Sequence, residues 1–132
     1  MTIVKARVKA IGFKHSIEGI ALVDTGASLT LIDRDVADDI GVKYLKRKIK
    51  VIVADGHEIY ADLAIIDKFI VEGEELPYTH IAVSNFAKEL KEKLKTLGLI
   101  DWCIIGLTTL EILQLIPDPT TGTLRKSSAL LL

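Results

Sequence analysis

The chain carries a single cysteine, Cys103, in 132 residues. One thiol makes no internal disulfide, which excludes a disulfide-stapled scaffold and leads to the expectation of a reducing, cytoplasmic location. Side-chain amides are almost missing: Asn85 and Gln114 stand alone against abundant Lys, Glu, Ile and Leu. That bias is typical of proteins from hot environments and predicts a heat-stable domain. No apolar run approaches the ~20 residues needed to cross a bilayer, and Lys5, Arg7 and Lys9 interrupt any signal-peptide core near the start. A net charge of −1 gives no global pull toward nucleic acid or an anionic membrane, so neither is expected as a partner. His15, His57 and His80 are scattered without ligand spacing, and aromatic and methionine content is too low for a cofactor box. No metal, no cofactor and no Ser-His or Cys-His catalytic pair is therefore expected.

What is present suits a globular protein. Hydrophobic residues make up 49% and charged residues 27%, enough for a sizeable core in one domain spanning residues 1–132. The chain is organised around residues 21–28, ALVDTGAS. An apolar run reads as the end of a buried strand, and it delivers Asp24 into a small, hydroxyl-bearing turn. Burying a carboxylate there is costly unless it is hydrogen-bonded, paired or catalytic. Thr25 brings a donor and an acceptor to the same turn, and Gly26 lets a second backbone or a ligand approach. The plainer alternative makes Asp24 a turn-former or helix N-cap behind a core strand.

Along the chain, Val4, Ala6, Val8 and Ala10 alternate with basic residues and predict a first strand. After a turn at Lys14–Ser16, Ile17–Val23 returns as a second, and Leu29–Ile32 is a short third. Asp33 is placed to N-cap a helix over Arg34–Ile40 that stops at Gly41, with Asp35, Asp38 and Asp39 on its solvated face. Lys43–Lys50 carries five basic residues, read as a solvated strand edge; a nucleic-acid patch would want more aromatic partners than Tyr44. Ile49–Ala54 and Glu58–Ile66 flank Asp55-Gly56, a strong hairpin signal. Phe69–Val71 and Leu76–Val83 read as strands around a polar turn at Glu72–Glu75. A helix is expected over Phe86–Leu97, capped by Ser84 or Asn85, with Phe86, Leu90, Leu94 and Leu97 on a core stripe and Glu89 paired to Lys93 outside. Then come Cys103-Ile104-Ile105-Gly106, where Cys103 reads as a small core residue, and a helix through Leu113 capped by Thr108 or Thr109. Pro117–Gly122 is a turn cluster, and a last strand runs from Leu124 toward the apolar end Ala129–Leu132. That end needs cover, from the chain's own core or from a second subunit.

The segment ALVDTGASLTLI, Ala21–Ile32, resembles the active-site segment of aspartic proteases of the retropepsin type. Cys103–Leu110, CIIGLTTL, resembles that family's second signature, an apolar strand that crosses behind the active-site loop on a glycine. Ala54-Asp55-Gly56 then falls where the family has its flap, although a plain surface hairpin has the same sequence. The resemblance implies a mainly β fold: a closed or partly open β-barrel with a flap hairpin and two to three short helices. It implies an aspartic endopeptidase acting on peptides or unfolded protein, with Asp24 as the catalytic acid. Since the chain has one such motif, the resemblance implies a homodimer that pairs two Asp24 carboxylates. Thr25 would bond across the axis and Gly26 would give the loops room. Ala27, Ser28, Ala54, Asp55, Gly56 and His57 would bind substrate. Retroviral members carry an ion pair where this chain has Ser28 and Leu107, and little or nothing where it has the 86–97 helix. Those departures leave open a non-catalytic peptide- or protein-binding module on the same fold. Pepsin-like members also place a serine where Ala27 stands, and its absence implies a weakly acidic optimum.

Overall fold

In β1 (Lys5–Ile11) the alternation behaves as its period requires: Ala6, Val8 and Ala10 are buried while Lys5, Arg7 and Lys9 face solvent. The strand pairs antiparallel with β2 (Ser16–Val23), with Lys5 opposite Leu22. The computed structural model describes residues 3–52 and 56–127; Ala54 and Asp55 of the expected flap tip, and the apolar end Ala129–Leu132, lie outside them. Further along come β3 (Leu31–Asp33), α1 (Arg34–Ile40), β4 (Lys43–Ile52), β5 (Glu58–Val71), β6 (Glu74–Ser84) and α2 (Lys88–Thr96). The chain then forms β7 (Cys103–Ile105), α3 (Leu107–Leu113), β8 (Leu115–Asp118) and β9 (Thr123–Lys126).

The main sheet runs β1-β2-β7-β3-β6-β5-β4, and a further β1–β5 pairing closes its first six strands into a barrel. Strand β5 makes closure possible by being long. Its first half pairs with β4, its last residues pair with β1, and β6 follows the other edge. The two strands expected at Glu58–Ile66 and Phe69–Val71 are thus one. Lys68 stays extended because it faces Ile11 of β1 on one side and Pro77 of β6 on the other. Likewise the polar turn shrinks to Glu72-Gly73, both at positive φ (49° and 80°), the geometry a two-residue hairpin turn demands.

The short strands at the barrel's centre are buried on both faces, which explains why β7 and the first two residues of β3 are apolar. Ile32, Cys103 and Ile105 point into the larger core with Val8, Phe69 and Ile81, whereas Leu31 and Ile104 join a smaller one with Val51, Phe86 and Leu94. Each Leu or Ile buried this way contributes about 1.5–3 kcal/mol. Cys103 is fully buried, and burial pushes its thiol well above the ordinary range; it is an inert core residue, as expected.

The helices are all short, and their caps differ from the sequence expectation. Asp33 stands at the N-cap position of α1 without making a cap bond. Helix α2 starts later than expected, after Ala87, with neither Ser84 nor Asn85 capping it. Helix α3 starts from Gly106, because the hydroxyls of Thr108 and Thr109 are engaged elsewhere. Pro117 and Asp118, read as part of a turn, belong to β8, which among the described residues pairs only with β9; a proline is tolerated in such an edge strand.

Lysines of the basic run are held across the hairpin. Lys48 Nζ is 2.8 Å from Asp62, which also takes Arg34 of α1, and Lys50 lies 3.4 Å from Glu58. The hydrogen bond from Lys48, then that from Arg34, holds the Asp62 carboxyl below the usual carboxylate range. Nearby, the Tyr44 hydroxyl donates to Asp38; burial chiefly, and then that bond, push it up to about 12. Because the folded Asp62 is the stronger acid, its stabilising effect is complete above the unfolded value near pH ~4 and is lost as pH falls through the lower folded value. Asp62→Asn is therefore expected to cost about 1 kcal/mol at neutral pH. Urea midpoints measured at falling pH should converge with those of the wild type in strong acid.

Candidate active site

The two signature segments meet because β7 lies between β2 and β3, the strands that enter and leave the Asp24 loop. Leu22 and Val23 pair parallel with Ile104 and Ile105, while Leu31 and Ile32 pair antiparallel with Ile104 and Cys103. The contact is too close for any side chain on Gly106. A Cβ there would lie 2.3 Å from the Leu29 carbonyl carbon and oxygen and 2.7 Å from the Thr30 nitrogen.

Hydrogen bonds pin the loop from both sides. The Asp24 N–H donates to the Ile105 carbonyl at 2.9 Å, and the Asp24 Oδ1 accepts the Gly26 N–H at 2.9 Å. Leu107 N–H donates to the Ala27 carbonyl, and Thr108 donates through both its N–H and its hydroxyl to the Ser28 carbonyl. These bonds join the segments at Ser28 and Leu107, where retroviral members are expected to use an ion pair. Beneath them Thr30, fully buried, accepts the Gly106 N–H at 3.1 Å and shares a 2.7 Å bond with Thr109. Thr30 was not among the expected site residues, and Thr108 and Thr109, expected to cap α3, bond to Ser28 and Thr30 instead. A threonine inside an otherwise apolar strand, Leu29–Ile32, was the available signal, since a buried hydroxyl needs a partner.

Asp33 also has a role other than the expected α1 cap. It is buried, with Oδ1 accepting the Phe86 N–H at 2.9 Å and Oδ2 lying 3.3 Å from Lys91 Nζ. The side chain expected to cap α1 instead holds the start of α2, which fixes that helix beside the Asp24 loop.

A cavity of about 420 Å³ opens there. Asp24 and His57 both line it, together with Leu22, Leu31, Ile59 and Ile104. Leu90 and Leu94 of α2 and Leu97, the residue just after it, supply another part of the lining. The stripe read as core packing is therefore split: Leu94 and Phe86 are buried, but Leu97 is 40% exposed and contributes to the cavity. Thr25, Gly26 and Ser28 are exposed on the loop, whereas the Ala27 methyl is fully buried. Gly56 is exposed where the β4–β5 hairpin turns back toward β5. Among the described residues, no group of three His, Cys, Asp or Glu side chains is placed to hold a metal ion.

The sequence profile described as aspartyl protease matches residues 8–108, from within β1 to the start of α3. The chain belongs to the aspartyl protease family. Among solved structures, this aspartyl protease family member is similar to the retroviral protease-like domain of Ddi1 from Leishmania major. That match has a TM-score of 0.56 at 19% identity and covers 98% of this chain and 91% of the other. It is also similar to a retropepsin-like aspartic protease from Rickettsia conorii, at 17% identity over 89% of each chain, with a TM-score of 0.45. No curated protein matches it significantly. The retropepsin-like fold of this family member accounts for the barrel, the hairpin after the Asp-Thr-Gly loop and the glycine crossing behind it. Helix α2 is the local feature that shapes the cavity.

Proposed function

We propose that the chain is an aspartic endopeptidase acting as a homodimer on extended or unfolded polypeptide, with residues 1–132 as one domain. The observation that carries this reading is the position of Asp24: held by hydrogen bonds to Gly26 and Ile105, and lining a mainly apolar cavity together with His57 and Ile59 from the start of the β5 side of the hairpin. Asp24 is the only carboxylate among the described residues lining that cavity. Aspartic protease chemistry needs two. With two carboxyl groups roughly 3 Å apart, one is ionised and the other keeps its proton. The ionised group takes a proton from water, and the protonated one hydrogen-bonds the scissile carbonyl. A two-fold axis through the Asp24 loops supplies the second group from a copy of the chain. In this arrangement Thr25 holds the loops across the axis and Gly26 gives them room. Ser28, exposed on the loop, lies along the peptide, with Gly56 and His57 on the hairpin side of it; Ala27, fully buried and bonded through both its N–H and its carbonyl, supports the loop from within instead of lining the cleft as expected.

The same single carboxylate favours a second reading for an isolated chain: a cavity that binds peptide without cutting it. Sedimentation and cleavage of a denatured protein, measured over a range of protein concentrations, separate the two. The proposal expects specific activity to rise with concentration in step with the dimer fraction. A strict monomer that binds denatured protein and leaves it intact would establish the binding module instead.

A further inference from the structure

Helix α2 brings one charge to the cavity that its own fold does not neutralise. Lys91 is held by Asp33 and Lys95 by Asp101. The pair expected between Glu89 and Lys93 does not form, and Lys93 has no ion-pair partner among the described residues. It lines the cavity, exposed, next to a mainly apolar surface. Helical spacing explains its placement: Lys93 follows Leu90 by three residues and precedes Leu97 by four, so the three share one face. Its methylene stem can lie on that apolar face while the ammonium stays in water at the opening. Besides Lys93, the described residues of the lining that carry or can carry charge are Asp24 and His57.

We propose that Lys93 sets the substrate preference of this cleft, which takes an extended peptide bearing a bulky apolar side chain next to an acidic residue. The inference rests on the Asp24 cavity being a peptide site, but not on its cutting what it binds. The apolar side chain fills the space between Leu31, Ile104 and the α2 leucines, and the neighbouring carboxylate meets the Lys93 ammonium. Asp33, by holding the start of α2, keeps that ammonium in register with the cavity.

The test uses fluorescent, extended peptides with a central Phe flanked by Glu, Gln or Lys, bound to the full chain carrying Asp24→Asn and followed by anisotropy. The Glu peptide is expected to bind about fivefold tighter than the Lys peptide, an advantage that fades with salt. Replacing the central Phe with Ala should weaken binding at least about tenfold. Adding Lys93→Glu, a surface change that leaves the core untouched, should invert the charge preference. Equal affinity for the Glu and Lys peptides, an order unchanged by Lys93→Glu, or no binding of any peptide would each overturn the proposal. Parallel incubation of the peptides with the Asp24 protein reads hydrolysis separately. Charge-selective binding without cutting would remove the protease reading and leave the role of Lys93 standing.

Discussion

Replacing Asp24 with Asn is expected to lower cleavage of a denatured protein by on the order of 10⁴-fold while the chain stays folded. The fold should survive because Asn keeps the oxygen that accepts the Gly26 N–H, and the Asp24 N–H still reaches the Ile105 carbonyl. What is lost is the exchangeable proton shared between two carboxylates, which no amide replaces. The shared pair makes a further demand. In an about tenfold excess of Asp24→Asn chains, about a tenth of the wild-type chains would still meet a wild-type partner, so wild-type activity should fall accordingly. Activity untouched by the excess would mean that one chain is sufficient and that the carboxylate pair is wrongly assigned. The pH profile is expected to peak in weak acid, since residue 27 is an alanine and has no hydroxyl to donate to the carboxylates. Activity confined to about pH 2–3 would falsify that expectation.

The second large effect is expected from Gly106→Ala. The added methyl meets the Leu29 carbonyl and the Thr30 nitrogen, which are backbone atoms with no rotamer to escape into. Either β7 moves away from the Asp24 loop or the loop moves, and both are tied. Separation would strain the Gly106–Thr30 bond, the Asp24–Ile105 bond and the Thr108 bonds to Ser28 together. A cost of about 3 kcal/mol follows from overpacking of this kind, equivalent to a fall in melting temperature of about 10 °C for a chain this size. Thermal unfolding reads the stability. Activity measured well below the new midpoint should also be lower, because Asp24 takes its position from the residue before this glycine. A variant as stable and as active as the wild type would show that the crossing is not tight.

The elements that could be read from sequence are those whose information is local. Alternation in β1, a polar turn after Val71 (though not its two-residue length), the stop at Gly41 and the apolar run into Asp24 each depend on neighbours a few residues away. The fold class was legible for another reason: two short signatures, at Ala21–Ile32 and at Cys103–Leu110, resemble one family in the right order. Side-chain duties were legible only in part. Asp33, Thr108 and Thr109 all have good capping chemistry next to a helix start, and a cap is the best local use for them. In the fold, partners distant in sequence offer more. Asp33 meets Phe86 and Lys91, Thr108 meets Ser28, and Thr109 meets Thr30. A buried carboxylate or hydroxyl gains most where it satisfies groups that water cannot reach.

The sequence by itself determined that a carboxylate ends a buried strand and enters a small, hydroxyl-bearing turn, that a hairpin follows, and that a second apolar strand carries a glycine. Periodicity and turn chemistry are written in adjacent residues, so no fold is needed to read them. Only the tertiary structure decided that β7 passes between β2 and β3, that Thr30 ties the crossing from below, and that α2 stands beside Asp24 with Lys93 unpaired among the described residues at the cavity. Those relations join residues about 70–80 positions apart. They follow from which surfaces remain buried once the barrel closes, a property of the packed chain and not of any stretch of it.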